Sequence, residues 1–192
     1  MKKQRDNYTF LTHAPVHRVI VSMAVPTIIS MLVTSIYGMV DTYYVGQINT
    51  QSTAAVGISF SIMTIIQAIG FFFGHGSGNY ISRMLGAKRT DEAKYMAATG
   101  LVGSVAFGLA VAVVGLAFLS DICIFLGSTE TILPYTERYL GIILVGAPFM
   151  TGAFTLNNQM RFQGNAKYAM YGILSGVVLN VVLAPILIFY FC

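Results

Sequence analysis

The sequence predicts an all-α membrane protein, a polytopic transmembrane helix bundle of about five spans. Three observations predict it. The chain is 56% hydrophobic and only 9% charged, where a soluble domain carries about 25% charged residues. Its apolar residues fall into runs of membrane length, at about 20 residues per crossing. Its cations gather on one side of those runs.

The first span runs from about residue 18 to 46. From Val19 to Gly46 it reads VIVSMAVPTIISMLVTSIYGMVDTYYVG, with Asp41 as its only acidic residue. Pro26 removes a backbone hydrogen bond and crowds the preceding turn, so a kink is expected there. It is either a static kink, which membrane helices tolerate, or a hinge. The second span covers about 53–81 and leads into GFFFGHGSGNYISRMLG, whose glycines permit close helix approach. That run is no phosphate-binding loop, because it lacks the Gly-Lys-Ser/Thr ending and no strand precedes it. The third, fourth and fifth spans cover about 95–119, 133–160 and 168–192. Several exceed the minimum crossing length, so tilt or protrusion is expected.

Charge orients the spans. Lys2, Lys3, Arg5 and Arg18 precede the first; Arg83, Lys88, Arg89 and Lys94 lie between the second and third; Arg161 and Lys167 lie between the fourth and fifth. The opposite loops carry Asp121, Glu130, Glu137 and Arg138. Ten of the eleven Lys and Arg residues therefore share one side. By the positive-inside rule that side, with the N-terminus, is cytoplasmic, and Cys123 and Cys192 fall outside. The expected location is the plasma (inner) membrane. The net charge of +4 follows from this asymmetry and calls for no nucleic-acid partner. Attraction to anionic lipid is the partner it does suit.

Other classes lose ground. The basic N-terminus leads into an apolar run too long for a signal peptide, with no small-residue cleavage site after it. Two cysteines make no disulfide framework and have no metal-ligand spacing, so no metal is expected. There is no nucleophile elbow, no His-Glu-x-x-His and no pair of intramembrane carboxylates, so no enzyme is expected. Five spans put the chain ends on opposite sides, and Cys192 directly follows an apolar run. The expectation is a piece of a larger architecture.

The polar residues inside the spans carry the functional reading. A carboxylate at membrane depth pairs, lines a wet cavity or moves ions. Asp41 therefore either caps the outer end of its helix at the headgroups, beside Tyr43 and Tyr44, or forms a cation or proton site. Tyr37 lies four residues before it, on the same helix face, and can donate to the carboxylate. Asn180, about 13 residues into the fifth span, reaches a similar depth. Asn157, Asn158 and Gln159 lie near the inner end of the fourth. Each amide alone reads equally as an interhelical hydrogen bond, worth about 0.6 kcal/mol on average. A carboxylate, a phenol and an amide at one depth favour the ion site. His75, single among glycines, reads as structural, and the ten methionines as core or lipid-facing.

Four segments in order resemble the multidrug and toxic compound extrusion (MATE) transporters, especially their DinF-like branch. They are AVPTIISMLVTSIYGMVDTYYVGQ, SRMLGAKRTDEA, NNQMRFQGNAKYAM and LNVVLAPILIF. The resemblance implies a twelve-helix secondary antiporter of two six-helix lobes. It would export cationic, amphipathic compounds against inward proton or sodium flow. This chain would supply the first five helices of the N-terminal lobe, with the rest provided by a C-terminal lobe or a second chain. Asp41 resembles the coupling carboxylate, Pro26 the bend, and Tyr37, Asn157 and Asn180 the polar lining of the substrate cavity. Ala184 departs from the pattern, since many DinF-like members carry aspartate there. Two alternatives stand beside this reading. A lipid-linked sugar flippase would need more cations away from the cytoplasmic segments than Arg138 alone. A non-transporting membrane fragment or assembly subunit would need no coupling residue.

Overall fold

The computed structural model describes Phe10, residues 13–47 and residues 49–191, with side chains as far as Leu183. The fold is all-α. Among the described residues the elements are α1 (Val16–Gly46), α2 (Thr50–Gly86), α3 (Thr90–Ala117), α4 (Leu119–Phe125), α5 (Leu133–Phe162) and α6 (Ala166–Phe191). All but α4 are long and apolar enough to cross a membrane. Ala184 and Cys192, which the sequence reading singled out, lie outside the described side chains.

The expected spans are present, with corrected ends. The largest correction concerns the basic segment after the second span. Ser82 to Gly86 continue α2, and α3 begins at Thr90, so the expected loop shrinks to residues 87–89. Arg89 N donates to Met84 O at 2.9 Å and Lys88 N to Leu85 O at 3.1 Å. This paired closure satisfies the last carbonyls of α2, and it places Lys88 at φ 61°. Asp91 and Glu92 then open α3, where their charge complements the helix N-terminus. Asn49 starts α2 in the same economical way, accepting at Oδ1 from Ser52 N at 2.6 Å.

The third span ends at Ala117 rather than 119, because Phe118 leaves the helical region with φ −115° and ψ 31°. A separate seven-residue helix, α4, follows where the sequence suggested a loop. It closes at Gly127, φ 99°, with Ser128 N donating to Cys123 O at 3.0 Å. The same closure ends α5 at Gly164, φ 78°, with Asn165 N on Met160 O at 3.0 Å.

The chain sorts into two compact units. One comprises Thr42–Gly76 and Ala98–Leu156. Its core joins Ile66, Ala112 and Ala147, and beside them Cys123, Leu140 and Leu144. Ile122 and Leu119 of α4 pack on that second group, which is why α4 forms there. Between membrane helices the attraction comes mainly from close packing and hydrogen bonds. Gly108 shows it: a Cβ there would fall 2.8 Å from Pro148 Cα and 3.1 Å from Ala147 O. Thr151 Oγ1, one turn from Pro148, donates to Ser104 O at 2.9 Å, and Thr155 Oγ1 to Gly70 O at 3.1 Å.

The other unit comprises Met1–Asp41, Ser77–Ala97 and Asn157–Cys192. Ile81, Ala93, Ala166 and Ala169 are buried in it. Gln159 Nε2 donates to Ser77 Oγ at 2.9 Å and to Ala97 O at 3.2 Å. A Cβ on Gly78 would run into the Phe162 ring. These contacts gather the ends of α2, α3 and α5.

Candidate functional site

All five residues expected to carry function, Pro26, Tyr37, Asp41, Asn157 and Asn180, fall in the second of these units. Three of them are on α1. This helix runs unbroken through Pro26. Its hydroxyls bond back along its own backbone: Thr27 to Met23 O at 2.9 Å, Ser30 to Pro26 O at 2.8 Å, Thr34 to Ser30 O at 2.8 Å and Ser35 to Met31 O at 2.9 Å. Such back-bonding tends to bend helices, and it clusters here around a proline that has no N–H to donate.

Pro26 and Ser30 are the buried residues of α1. Only 11% of the most apolar stretch of α1 is buried, against 33% for α5. The helix is thus anchored at its proline and exposed over much of the rest. Fifteen residues separate Pro26 from Asp41, about 22 Å of helix axis. A small angular change at the anchor is magnified at the carboxylate.

Tyr37 and Asp41 meet as their spacing requires. The Tyr37 side chain hydrogen-bonds to the Asp41 carboxylate. Both residues are half-buried. The pair is therefore accessible on one flank while the phenol orients the carboxylate on the other. A carboxylate so placed can take up a proton, or hold a monovalent cation with oxygen ligands.

The amides divide. Asn180 is exposed on α6. Asn157 is half-buried and ties two helices together, donating from Nδ2 to Ala169 O at 3.0 Å. Its Oδ1 accepts from Arg161 Nε at 3.0 Å. Asn158 and Gln159 are buried. His75 is exposed, with Nδ1 2.9 Å from Phe71 O and its ring edge-on to Phe71 at 5.5 Å. The sequence reading missed the helix-joining roles of Thr151 and Thr155. Their spacing of four on α5 was visible, but threonine in an apolar helix usually bonds to its own backbone, and the partner helix is invisible in sequence.

Comparison with known proteins places this geometry in context. The MatE family model matches residues 26–186, which takes in α1 from its proline through most of α6. The multidrug export protein MepA of Staphylococcus aureus is 37% identical over 138 residues, covering 72% of this chain and 31% of that relative. A structure of an outward-facing multidrug resistance MATE family transporter of the MOP superfamily is 28% identical, with a TM-score of 0.85. The match covers 90% of this chain and 38% of that one. A MATE structure in the bent conformation is 27% identical, with a TM-score of 0.84 over 91% of this chain and 39% of its own. This chain therefore spans about a third of the length of the relatives it matches.

Proposed function

The chain belongs to the MatE family, and from that premise we propose that it forms the N-terminal lobe portion of a secondary efflux antiporter. The transporter exports cationic, amphipathic compounds in exchange for protons or sodium ions. The observation that carries this reading is the Tyr37–Asp41 pair on α1. It sets one oriented, accessible carboxylate within a membrane-spanning helix. The remaining helices of the two lobes come from polypeptide beyond this chain, in keeping with its coverage of 31% of the MepA relative.

The cycle follows from electrostatics. With Asp41 ionised, the carboxylate favours a hydrated cavity that admits a cationic substrate. A proton or sodium ion entering from outside neutralises it, which removes the cost of burying charge. The segment beyond Pro26 then swings, the cavity lined by Tyr37, Asn157 and Asn180 shrinks, and substrate leaves outward. Each charge crossing 100 mV supplies about 2.3 kcal/mol, enough to shift a two-state equilibrium appreciably. A relative captured in a bent conformation supports a bending lobe.

The protein sits in the plasma membrane with its N-terminus in the cytoplasm. Arg18 begins α1, Arg83 ends α2, Lys94 begins α3, Arg161 ends α5 and Lys167 begins α6, so cations mark one end of alternately directed helices. The complete polypeptide, reconstituted in vesicles, should drive uphill export of a cationic dye when a proton or sodium gradient is imposed. Dye movement indifferent to both gradients rejects the proposal.

A further inference from the structure

Arg161 stands apart from the other cations of its unit. The described basic residues there are Arg18, Arg83, Lys88, Arg89, Lys94, Arg161 and Lys167. Among the described residues of that unit the carboxylates outside α1 are Asp91 and Glu92, and both are already committed. Glu92 pairs with Arg89 at 3.1 Å and Asp91 with Lys94 at 3.0 Å. Arg161 is half-buried in the last turn of α5. Among the described residues no carboxylate lies within ion-pair distance of it. Its bond to Asn157 Oδ1 uses Nε and a neutral acceptor. A guanidinium has five N–H donors, so the Nη side of the fork remains for another acceptor.

An exposed lysine is satisfied by water, but a half-buried cation without an anion carries a desolvation penalty. The Gly164 turn folds back tightly here, with Gly164 N on Arg161 O at 3.0 Å. Lys167 follows at once in the first turn of α6, exposed, and Tyr168 is 44% exposed. Two cations and a phenol thus collect where a membrane-crossing helix ends. Tyrosine favours the headgroup level, and the anion abundant at that level is the lipid phosphate. Arginine's planar fork suits phosphate in a way that lysine does not.

We propose that Arg161, with Lys167 and Tyr168, binds the phosphate of an anionic phospholipid at the α5–α6 turn. The bound lipid neutralises Arg161 and leaves its Nε free to hold Asn157. This inference does not depend on transport.

The test uses the complete protein purified in mild detergent, offered phosphatidylglycerol or phosphatidylcholine of matched acyl chains. Native mass spectrometry reads the retained lipid. Selective retention of phosphatidylglycerol is expected, reduced about fivefold by Arg161→Gln, as for the loss of one cation at an anionic surface. Arg83→Gln should leave it unchanged. Asn157→Ala breaks the same side-chain bond but keeps the charge, so it should retain the lipid. Equal loss in Asn157→Ala and Arg161→Gln overturns the proposal, because retention would then report only an intact turn. So does equal retention of phosphatidylcholine, or displacement of the lipid by millimolar inorganic phosphate.

Discussion

Gln159 donates from Nε2 to Ser77 Oγ at 2.9 Å, with both residues almost fully buried. The same amide reaches Ala97 O at 3.2 Å, so one side chain on α5 joins α2 and α3. Gln159→Leu preserves most of the volume and removes both bonds, and should cost about 1–2 kcal/mol. Gln159→Ala adds a cavity and should cost about 2–4 kcal/mol. Unfolding in mixed detergent micelles measures both. Thr64→Val supplies the contrast: its exposed hydroxyl bonds only to Phe60 O on its own helix, at 2.9 Å. That change should fall within about 0.5 kcal/mol of neutral.

The close approach at Gly108 makes a second prediction. A Cβ there meets Thr151 Oγ1 and the backbone at Pro148 and Ala147, and backbone cannot give way as a long side chain can. Gly108→Ala should destabilise by about 1–3 kcal/mol in the same unfolding assay. Gly176→Ala, with nothing within 4 Å of the new Cβ, should stabilise by about 0.4–1 kcal/mol.

The turn after α2 offers a test of opposite sign. Lys88 adopts φ 61°, which a glycine holds without steric cost. Lys88→Gly should stabilise by about 0.5–1 kcal/mol. Gly164→Ala, at φ 78°, should destabilise by about 1 kcal/mol. A thermal shift of each variant in detergent reads the direction.

Cys123 was expected at the outer side of the membrane, and its packing there sets how fast a thiol reagent can reach it. It is 0% exposed, packed on Leu140 and Leu144. Burial pushes its thiol pKa up, and the nearby Glu137 charge adds to that. The thiolate fraction at neutral pH is therefore below that of an ordinary cysteine, and it rises only at higher pH than usual. Maleimide labelling should be slow in the folded protein at neutral pH and fast after denaturation in dodecyl sulfate. Rapid labelling of the folded protein contradicts this packing.

Much of this architecture was legible in the sequence because its dominant signal is length. A run of about 20 apolar residues has few alternatives to a crossing. Asp41 was legible because a carboxylate interrupts such a run, and Tyr37 because four residues on a helix is one turn. The rest depended on what lies across a helix interface. Helix α4 is too short to announce itself, and it forms because Ile122 and Leu119 find Leu140 and Leu144. The 82–94 segment looked like a loop because charges cluster there, yet helix covers all of it but residues 87–89, with the Arg89–Glu92 and Lys94–Asp91 pairs at the start of α3. Asn157 was legible as a polar side chain within a span. Its bonds to Ala169 and Arg161 could not be read from spacing, because they depend on how the Gly164 turn folds back.

The most direct test of the account is gradient-driven dye efflux by the complete protein carrying Asp41→Asn, normalised to membrane expression. Asparagine keeps the shape and the hydrogen bond to Tyr37, but it cannot take up or release a proton in this range. The helix is then held near its neutralised state, so ion binding no longer biases the segment beyond Pro26. Coupled efflux should fall to background while membrane insertion and expression stay at wild-type levels. If Asp41 only caps the helix at the headgroups, asparagine serves equally well. Efflux at the wild-type rate in Asp41→Asn would contradict the coupling role.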